Sequence, residues 1–129
     1  MRIEHIAIWT DNIELMRDFY QTYFGMVSSE KYVNPSKNFT SYFLSFGEGK
    51  TRIELMNRPD ILDVVGKRGI LKGFAHLAIS VGNEANVDEL IECLRADNYI
   101  IEREPRRTGD GYYESVILDP EGNHIEITA

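Results

Sequence analysis

Two histidines and two glutamates recur in this chain in a pattern that could hold a divalent cation. His5 stands in Ile3-Glu4-His5-Ile6-Ala7-Ile8, and His76 in Phe74-Ala75-His76-Leu77-Ala78-Ile79, 71 positions later. Glu54 stands in Arg52-Ile53-Glu54-Leu55, and Glu126 in His124-Ile125-Glu126-Ile127, 72 positions later. A His-bearing segment and a Glu-bearing segment thus occur twice at nearly one offset, which reads as a duplicated module. Two imidazoles and two carboxylates form an N2O2 donor set. Such a set suits a divalent ion of borderline hardness: Ni, Zn, Co, Mn or Fe. The carboxylates neutralise its charge, and an octahedral ion would keep two positions open for water or substrate, the mark of a catalytic site. Taken singly, each His reads as a core or edge histidine and each Glu as a solvated carboxylate. Their recurrence on the same strand face in both copies favours the metal.

The elements that must position these four residues follow from periodicity. Residues 3–9 alternate, with Ile3, His5, Ala7 and Trp9 on one face and Glu4, Ile6 and Ile8 on the other. Ile53 and Leu55 flank Glu54, and Ile125 and Ile127 flank Glu126, so both carboxylates point away from the aliphatic face. A carboxylate on the inner face of a sheet is costly unless paired or bound to a cation. Asp11 with Glu14 suggests a helix start, with Leu15, Met16, Phe19, Tyr20 and Tyr23 at helical spacing and Gly25 as the stop. A short strand is expected near 27–32, a loop over 34–38, and strands over 40–46 and 52–56. In the second half, Asn86 and Glu89 suggest a helix start, and Asn98 its end. Strands are expected over 100–104, 113–118 and 124–128, with a polar loop over 105–111 and a tight turn at Asp119-Pro120-Glu121-Gly122-Asn123. Ile61, Leu62, Val64 and Val65 hint at a short helix in the connector. The expected fold is α+β: two tandem βαβββ modules forming a curved mixed sheet around a metal-binding cleft. Residues 1–57 form the first module, 58–73 the connector and 74–129 the second module of one domain.

The totals exclude some functions. The chain has 129 residues and a net charge of -7, which argues against a general nucleic-acid binder. No apolar run approaches the roughly 20 residues of a membrane span. The N-terminus enters a strand with no signal-like segment, so the cytoplasm is the expected location. The single cysteine, Cys93, cannot pair within the chain and suits a reducing compartment. Its apolar helical setting predicts burial.

These residues carry a family resemblance that spans the chain. His5-Ile6-Ala7-Ile8, Phe19-Tyr20 with Phe24-Gly25, Ile53-Glu54-Leu55, Ala75-His76-Leu77-Ala78, and Asp119-Pro120-Glu121-Gly122-Asn123 with Ile125-Glu126 resemble the vicinal-oxygen-chelate superfamily, which includes glyoxalase I, bleomycin resistance proteins and dioxygenases. The order His, Glu, His, Glu is similar to that of glyoxalase I. In the same superfamily, extradiol dioxygenases and fosfomycin resistance proteins normally lack the first Glu as a ligand, methylmalonyl-CoA epimerase typically has Gln there, and bleomycin-binding members lack the metal set. The resemblance implies one divalent metal ion held by His5, Glu54, His76 and Glu126. It also implies a lactoylglutathione lyase type of reaction, in which a proton moves between adjacent carbons of a small α-oxo or α-hydroxy substrate through a metal-stabilised enediolate. By position Glu126 would be the base and Glu54 its partner. An epimerase or dioxygenase of the same superfamily, and a non-catalytic drug-binding resistance protein, are the alternatives. The implied partners are a small-molecule substrate, which could be a thiol adduct, and a second copy of the chain in a homodimer.

Further candidates share the cleft face. Trp9 stands four residues after His5, where some glutathione-using members carry a basic residue. Arg52 and Arg106-Arg107 could receive an anionic tail. His124 shares a face with Glu126 and could line the cleft mouth. Trp9, Tyr42, Phe46 and Tyr112 could wall a pocket, and residues 108–111 could form a lid.

Overall fold

The computed structural model describes residues 1–62 and 68–129. The chain divides into two compact units, Met1–Asp63 and Val64–Ala129.

In the first unit, strand β1 (His5–Trp9) leads into helix α1 (Ile13–Phe24), then two short strands, β2 (Val27–Ser28) and β3 (Tyr32–Asn34), then β4 (Phe39–Ser45) and β5 (Arg52–Asn57). The sheet runs β1-β5-β4-β2, with β3 also on β4. It is mixed: β1 lies parallel to β5, and β4 antiparallel to it. The parallel pair requires a crossover, which α1 begins. Asn12 caps α1, its side chain accepting from the Leu15 N–H at 3.0 Å, so the cap is one residue later than the expected Asp11. Glu14 is therefore free to bond elsewhere. Gly25 ends the helix in the left-handed conformation at φ 62°, where a side chain would be strained. Met16, Phe19 and Tyr20 are buried, as are Leu44, Ile53 and Leu55 on the sheet. Each such side chain contributes about 1.5–3 kcal/mol by leaving water.

The second unit repeats the plan. Strand β6 (Leu77–Ser80) leads to helix α2 (Glu84–Ala96), β7 (Ile101–Arg107), β8 (Tyr113–Leu118) and β9 (His124–Thr128). The sheet order is β6-β9-β8-β7, again with one parallel pair, β6 with β9. Val87, Ile91 and Leu94 on α2 are buried, with Ile79, Ile117, Ile125 and Ile127 on the sheet. The fold is thus α+β, with two mixed sheets built from βαβββ modules.

Several local expectations need correction. The strand expected near 27–32 is two short pieces, and the loop expected over 34–38 contains a 3-10 turn at Pro35–Lys37. The cap of helix α2 lies three residues earlier than Asn86, at Asn83, which accepts from the Asn86 N–H at 2.9 Å while the Asn86 side chain donates back to the Val81 carbonyl at 2.7 Å. Strand β7 runs through Pro105 to Arg107, where a loop is expected. The register with β8 shifts between Arg103 and Arg106, and β7 is an edge strand, so a residue without an N–H is tolerated there. Cys93 is exposed rather than buried, since the stripe of Val87, Ile91 and Leu94 turns it outward. Ile61 lies in a turn, its N–H donating to the Arg58 carbonyl at 3.1 Å. Leu62 is exposed and lies in no helix, and Val64 and Val65, the remaining residues of the suggested connector helix, lie outside the described residues. No helix among the described residues is long and apolar enough to cross a membrane.

Glu14, released from capping, gathers a polar cluster against the sheet. It accepts from Lys31 Nζ at 2.8 Å and from the Tyr42 hydroxyl at 3.1 Å, and pairs with Arg17 at 3.0 Å. The Lys31 hydrogen bond, more than any other contact, holds the Glu14 carboxyl below its ordinary range. A depressed carboxyl adds stability above its unfolded value near 4.5 and loses it as the pH falls through the folded value. Glu14→Gln should therefore be less stable than the native chain near neutral pH, and the gap should close in acid. Urea unfolding at a series of pH values measures it, and a gap independent of pH would contradict the assignment.

Candidate metal centre

Register places one His beside one Glu in each unit. In the first, Ala7 pairs with Glu54 and His5 with Arg52 across the parallel strands. Residues paired in this way project to one face, so His5 and Glu54 share the side of the sheet away from α1. His5 Nε2 stands 3.7 Å from Glu54 Oε2. In the second unit Ala78 pairs with Glu126, and His76 immediately precedes β6. His76 Nε2 stands 3.5 Å from Glu126 Oε2. The glutamates are mostly covered, at 16% and 19% side-chain exposure, whereas the histidines are more open at 39% and 46%.

Both separations are too long for a good hydrogen bond. Two donors each about 2.1 Å from a common cation stand about 3.0 Å apart at the right angle of an octahedral shell. Each pair therefore stands somewhat wider than a cation-bound pair in a shell that keeps two positions open. Within neither unit, among the described residues, do three or more His, Cys, Asp or Glu side chains gather as a ready metal site. Each unit offers two donors.

The turn before β9 sets the position of Glu126. Asp119 accepts from the backbone N–H groups of Glu121 and Asn123 at 3.0 and 2.9 Å, and from the Asn123 side chain at 2.7 Å. Gly122 takes a φ of 82° that closes the turn. This is the structural task of Asp119-Pro120-Glu121-Gly122-Asn123.

A model of the Glyoxalase/Bleomycin resistance protein/Dioxygenase superfamily matches residues 2–127. The chain belongs to this superfamily. No curated protein matches this superfamily member in sequence. Among solved structures it is similar to the trypanothione-dependent glyoxalase I of Leishmania major, with 25% identity and a TM-score of 0.80, covering 99% of this chain and 86% of that one. It is also similar to glyoxalase I of Zea mays, with 27% identity and a TM-score of 0.80 over 98% of this chain, although it spans only 44% of the maize chain. A lactoylglutathione lyase of Agrobacterium tumefaciens, 23% identical with a TM-score of 0.68 over 98% of this chain and 92% of that one, shares the fold.

The remaining candidates of this superfamily member have varied surroundings. Arg52 is engaged: its Nη2 donates to Glu4 Oε1, and its guanidinium lies 4.0 Å from the centre of the Phe43 ring. Glu4 also accepts from His5 Nδ1, and this bond, with Arg52 adding to it, lowers the Glu4 pKa. Glu4 and Phe43 are site neighbours that strand alternation hides, since it assigns Glu4 to the face opposite His5. Their signal in the sequence is an acid directly before His5 combined with an arginine two residues before Glu54. Trp9 meets Phe39 edge-on at 6.2 Å and lies under Arg58, which is itself paired with Asp60 at 2.6 Å. Arg106 pairs in register with Glu114, on the face of Glu126. Arg107 instead bonds Glu84 and lies beside Tyr113. Tyr42 faces α1 and bonds Glu14, so it does not wall the His5 face. Phe46 and Tyr112 are exposed. Residues 108–111 close as a hairpin loop, with the Thr108 N–H donating to Tyr112 at 2.9 Å. The Asn57 side chain donates to the Thr10 and Asp11 carbonyls at 2.8 and 3.1 Å and so ties β5 to the start of α1. Thr128 Oγ1, two residues beyond Glu126, is buried with no hydrogen-bond partner among the described residues.

His124 is half-buried under the connector. A Cβ at Gly69 would lie 2.1 Å from His124 Nδ1 and 2.8 Å from the Ala75 carbonyl oxygen, and Gly69 takes a φ of 74°. Both crowding and backbone conformation exclude a side chain there. Gly69→Ala should cost about 1–3 kcal/mol and move the His124 ring. Thermal unfolding and the His124 proton shifts measure this; unchanged shifts would contradict the packing.

Proposed function

We propose that this protein is a metal-dependent, glyoxalase I-like lyase or isomerase acting on a small α-oxo or α-hydroxy carbonyl compound. One observation carries the reading. Each unit turns an imidazole Nε2 toward a sheltered carboxylate, at 3.7 Å in one and 3.5 Å in the other. His5, Glu54, His76 and Glu126 would together hold one divalent ion of the Ni, Zn, Co, Mn or Fe kind. The ion would supply Lewis acidity to vicinal substrate oxygens, lowering the cost of negative charge beside a carbonyl.

The chain supplies the proton chemistry. Glu126 takes the proton from one substrate carbon onto a carboxylate oxygen, then returns it to the adjacent carbon. The C–H electron pair stays in the substrate throughout, so no oxidant or reductant is consumed. Ile125 and Ile127, both fully buried, fix the strand so that Glu126 cannot slip from the reacting face. Glu54 holds the equivalent place on the first unit and carries the second negative charge. The likeness to the Leishmania and maize glyoxalases supports this class of reaction. Trp9, packed on Phe39 beneath an arginine already paired with Asp60, favours an uncharged group over a free carboxylate next to it.

Metal analysis of the purified protein, followed by methylglyoxal turnover with and without a thiol in deuterated water, tests the reading. One divalent ion per site and deuterium at the new C–H are expected. Glu126→Gln should lower kcat by about 10²–10⁴-fold, the usual worth of a positioned base. Full activity in that variant, or protein that takes up no divalent ion, would end the proposal.

A second measurement asks where the two halves meet. The pair His5→Ala with Glu54→Gln and the pair His76→Ala with Glu126→Gln should each be inactive. If two chains exchange units in a homodimer, refolding the two inactive proteins together regenerates one intact site and restores activity. If each site is built within one chain, the mixture stays inactive. Activity in either unmixed variant would show that its two residues are dispensable.

A further inference from the structure

We propose that Glu4 is a positioning residue whose carboxylate sets the tautomer and orientation of His5, leaving the lone pair of Nε2 turned toward Glu54. The inference rests on the metal-site reading for its purpose, but its geometry is independent of it.

Four side chains, from β1 and the residue just before it, β4 and β5, form a closed arrangement. Glu4 Oε2 accepts from His5 Nδ1, and Glu4 Oε1 accepts from Arg52 Nη2. The Arg52 guanidinium stacks on Phe43 at 4.0 Å, and the His5 ring meets Phe43 edge-on, with centroids 5.5 Å apart and planes at 86°. Register explains why they meet. His5 pairs with Arg52 on β5, and Phe43 on β4 pairs with Glu54, two residues along.

The chemistry then follows from donor counting. An ionised carboxylate can only accept, and a neutral imidazole has a single N–H. With that N–H given to Glu4 from Nδ1, the lone pair must lie on Nε2. Nε2 is the nitrogen that faces Glu54 at 3.7 Å. A carboxylate behind a metal-binding His also raises the basicity of the ligand nitrogen. Arg52 keeps Glu4 from turning away, so the arginine acts on His5 through Glu4 rather than waiting for an anionic substrate.

The second unit has none of these parts at the matching positions. Ala75 precedes His76, His124 stands two residues before Glu126, and Val116 pairs with Glu126 where Phe43 pairs with Glu54. The duplication therefore kept the donors in both halves but has this support in one. His5 is pre-set, while His76 has its tautomer chosen by other means. A substitution at Glu4 should thus act on one histidine and spare the other.

Nitrogen-15 NMR of the metal-free protein in alkaline solution, above the range in which free imidazole titrates, reads both histidines at once. In the native chain His5 should carry its proton on Nδ1. In Glu4→Ala it should shift toward the Nε2–H form, with His76 unchanged. Zinc affinity, measured by calorimetric titration, should fall about 10–100-fold. Glu4→Gln keeps an acceptor oxygen and similar bulk, so it should retain the Nδ1–H form in part and lose less affinity. It also provides a readout should the alanine variant unfold. A native His5 protonated on Nε2, or a tautomer indifferent to both substitutions, would overturn the inference. If the tautomer shifts as expected but the native protein binds no zinc, the role of Glu4 stands and the metal reading falls. If zinc binds and neither tautomer nor affinity responds at Glu4, the metal reading stands and this inference falls.

Discussion

The structure depends on the parity of two strands. Ile53 and Leu55 on β5, and Ile125 and Ile127 on β9, are driven into the core against a helix. A strand has only two faces, so the residue between each pair must project from the other one. That residue is glutamate both times. A slip of one position would put a carboxylate into packed hydrocarbon and two isoleucines or an isoleucine and a leucine outside it. Hydrophobic burial thereby aims the acids, and the polar side chains need no separate means of orientation.

Around that constraint the chain adds local ties that hold the aim. Asn57 reaches back to the start of α1, and Asp119 draws three donors into the turn before β9. The parallel pairings of β1 with β5 and β6 with β9 then bring each histidine alongside its acid. Parallel neighbours are far apart in sequence, so the helix between them is as much a part of the candidate site as the His and Glu side chains. The two halves follow one plan yet differ in detail. The first surrounds its imidazole with Glu4, Arg52 and Phe43, while the second has Gly69 packed against His124 and, at Thr128, a buried hydroxyl with no partner among the described residues.

The superfamily supports many chemistries on one frame, so membership constrains the architecture more than the reaction. Under the proposed reading, the two His–Glu pairs would serve Lewis-acid chemistry and the sheltered Glu126 would serve proton transfer. The surroundings of Trp9 bear on the substrate. Arg58 already has Asp60, and the indole rests on Phe39, so this corner of the first sheet is closer to an apolar wall than to a carboxylate receptor.

Much of this was legible in the residues. Repetition of His and Glu segments at one offset reveals the duplication, and alternation assigns the acids to the face away from the aliphatics, because both signals are periodic and local. Helix starts were legible only to within a few residues, because Asn12 and Asn83 compete with nearby Asp11 and Asn86 for the cap, and hydrogen-bond geometry selects between them. The extension of β7 through Pro105 was not legible, since it is allowed only on an edge strand with a register shift. The exposure of Cys93 followed from which stripe of α2 meets the sheet. The sequence by itself determined the repeat, the strand faces and the four donor types. Only the tertiary structure decided that Arg52 is occupied by Glu4, that Tyr42 belongs with Glu14, and that Gly69 packs on His124, because each depends on which distant strands or loops become neighbours, and no spacing along the chain encodes that.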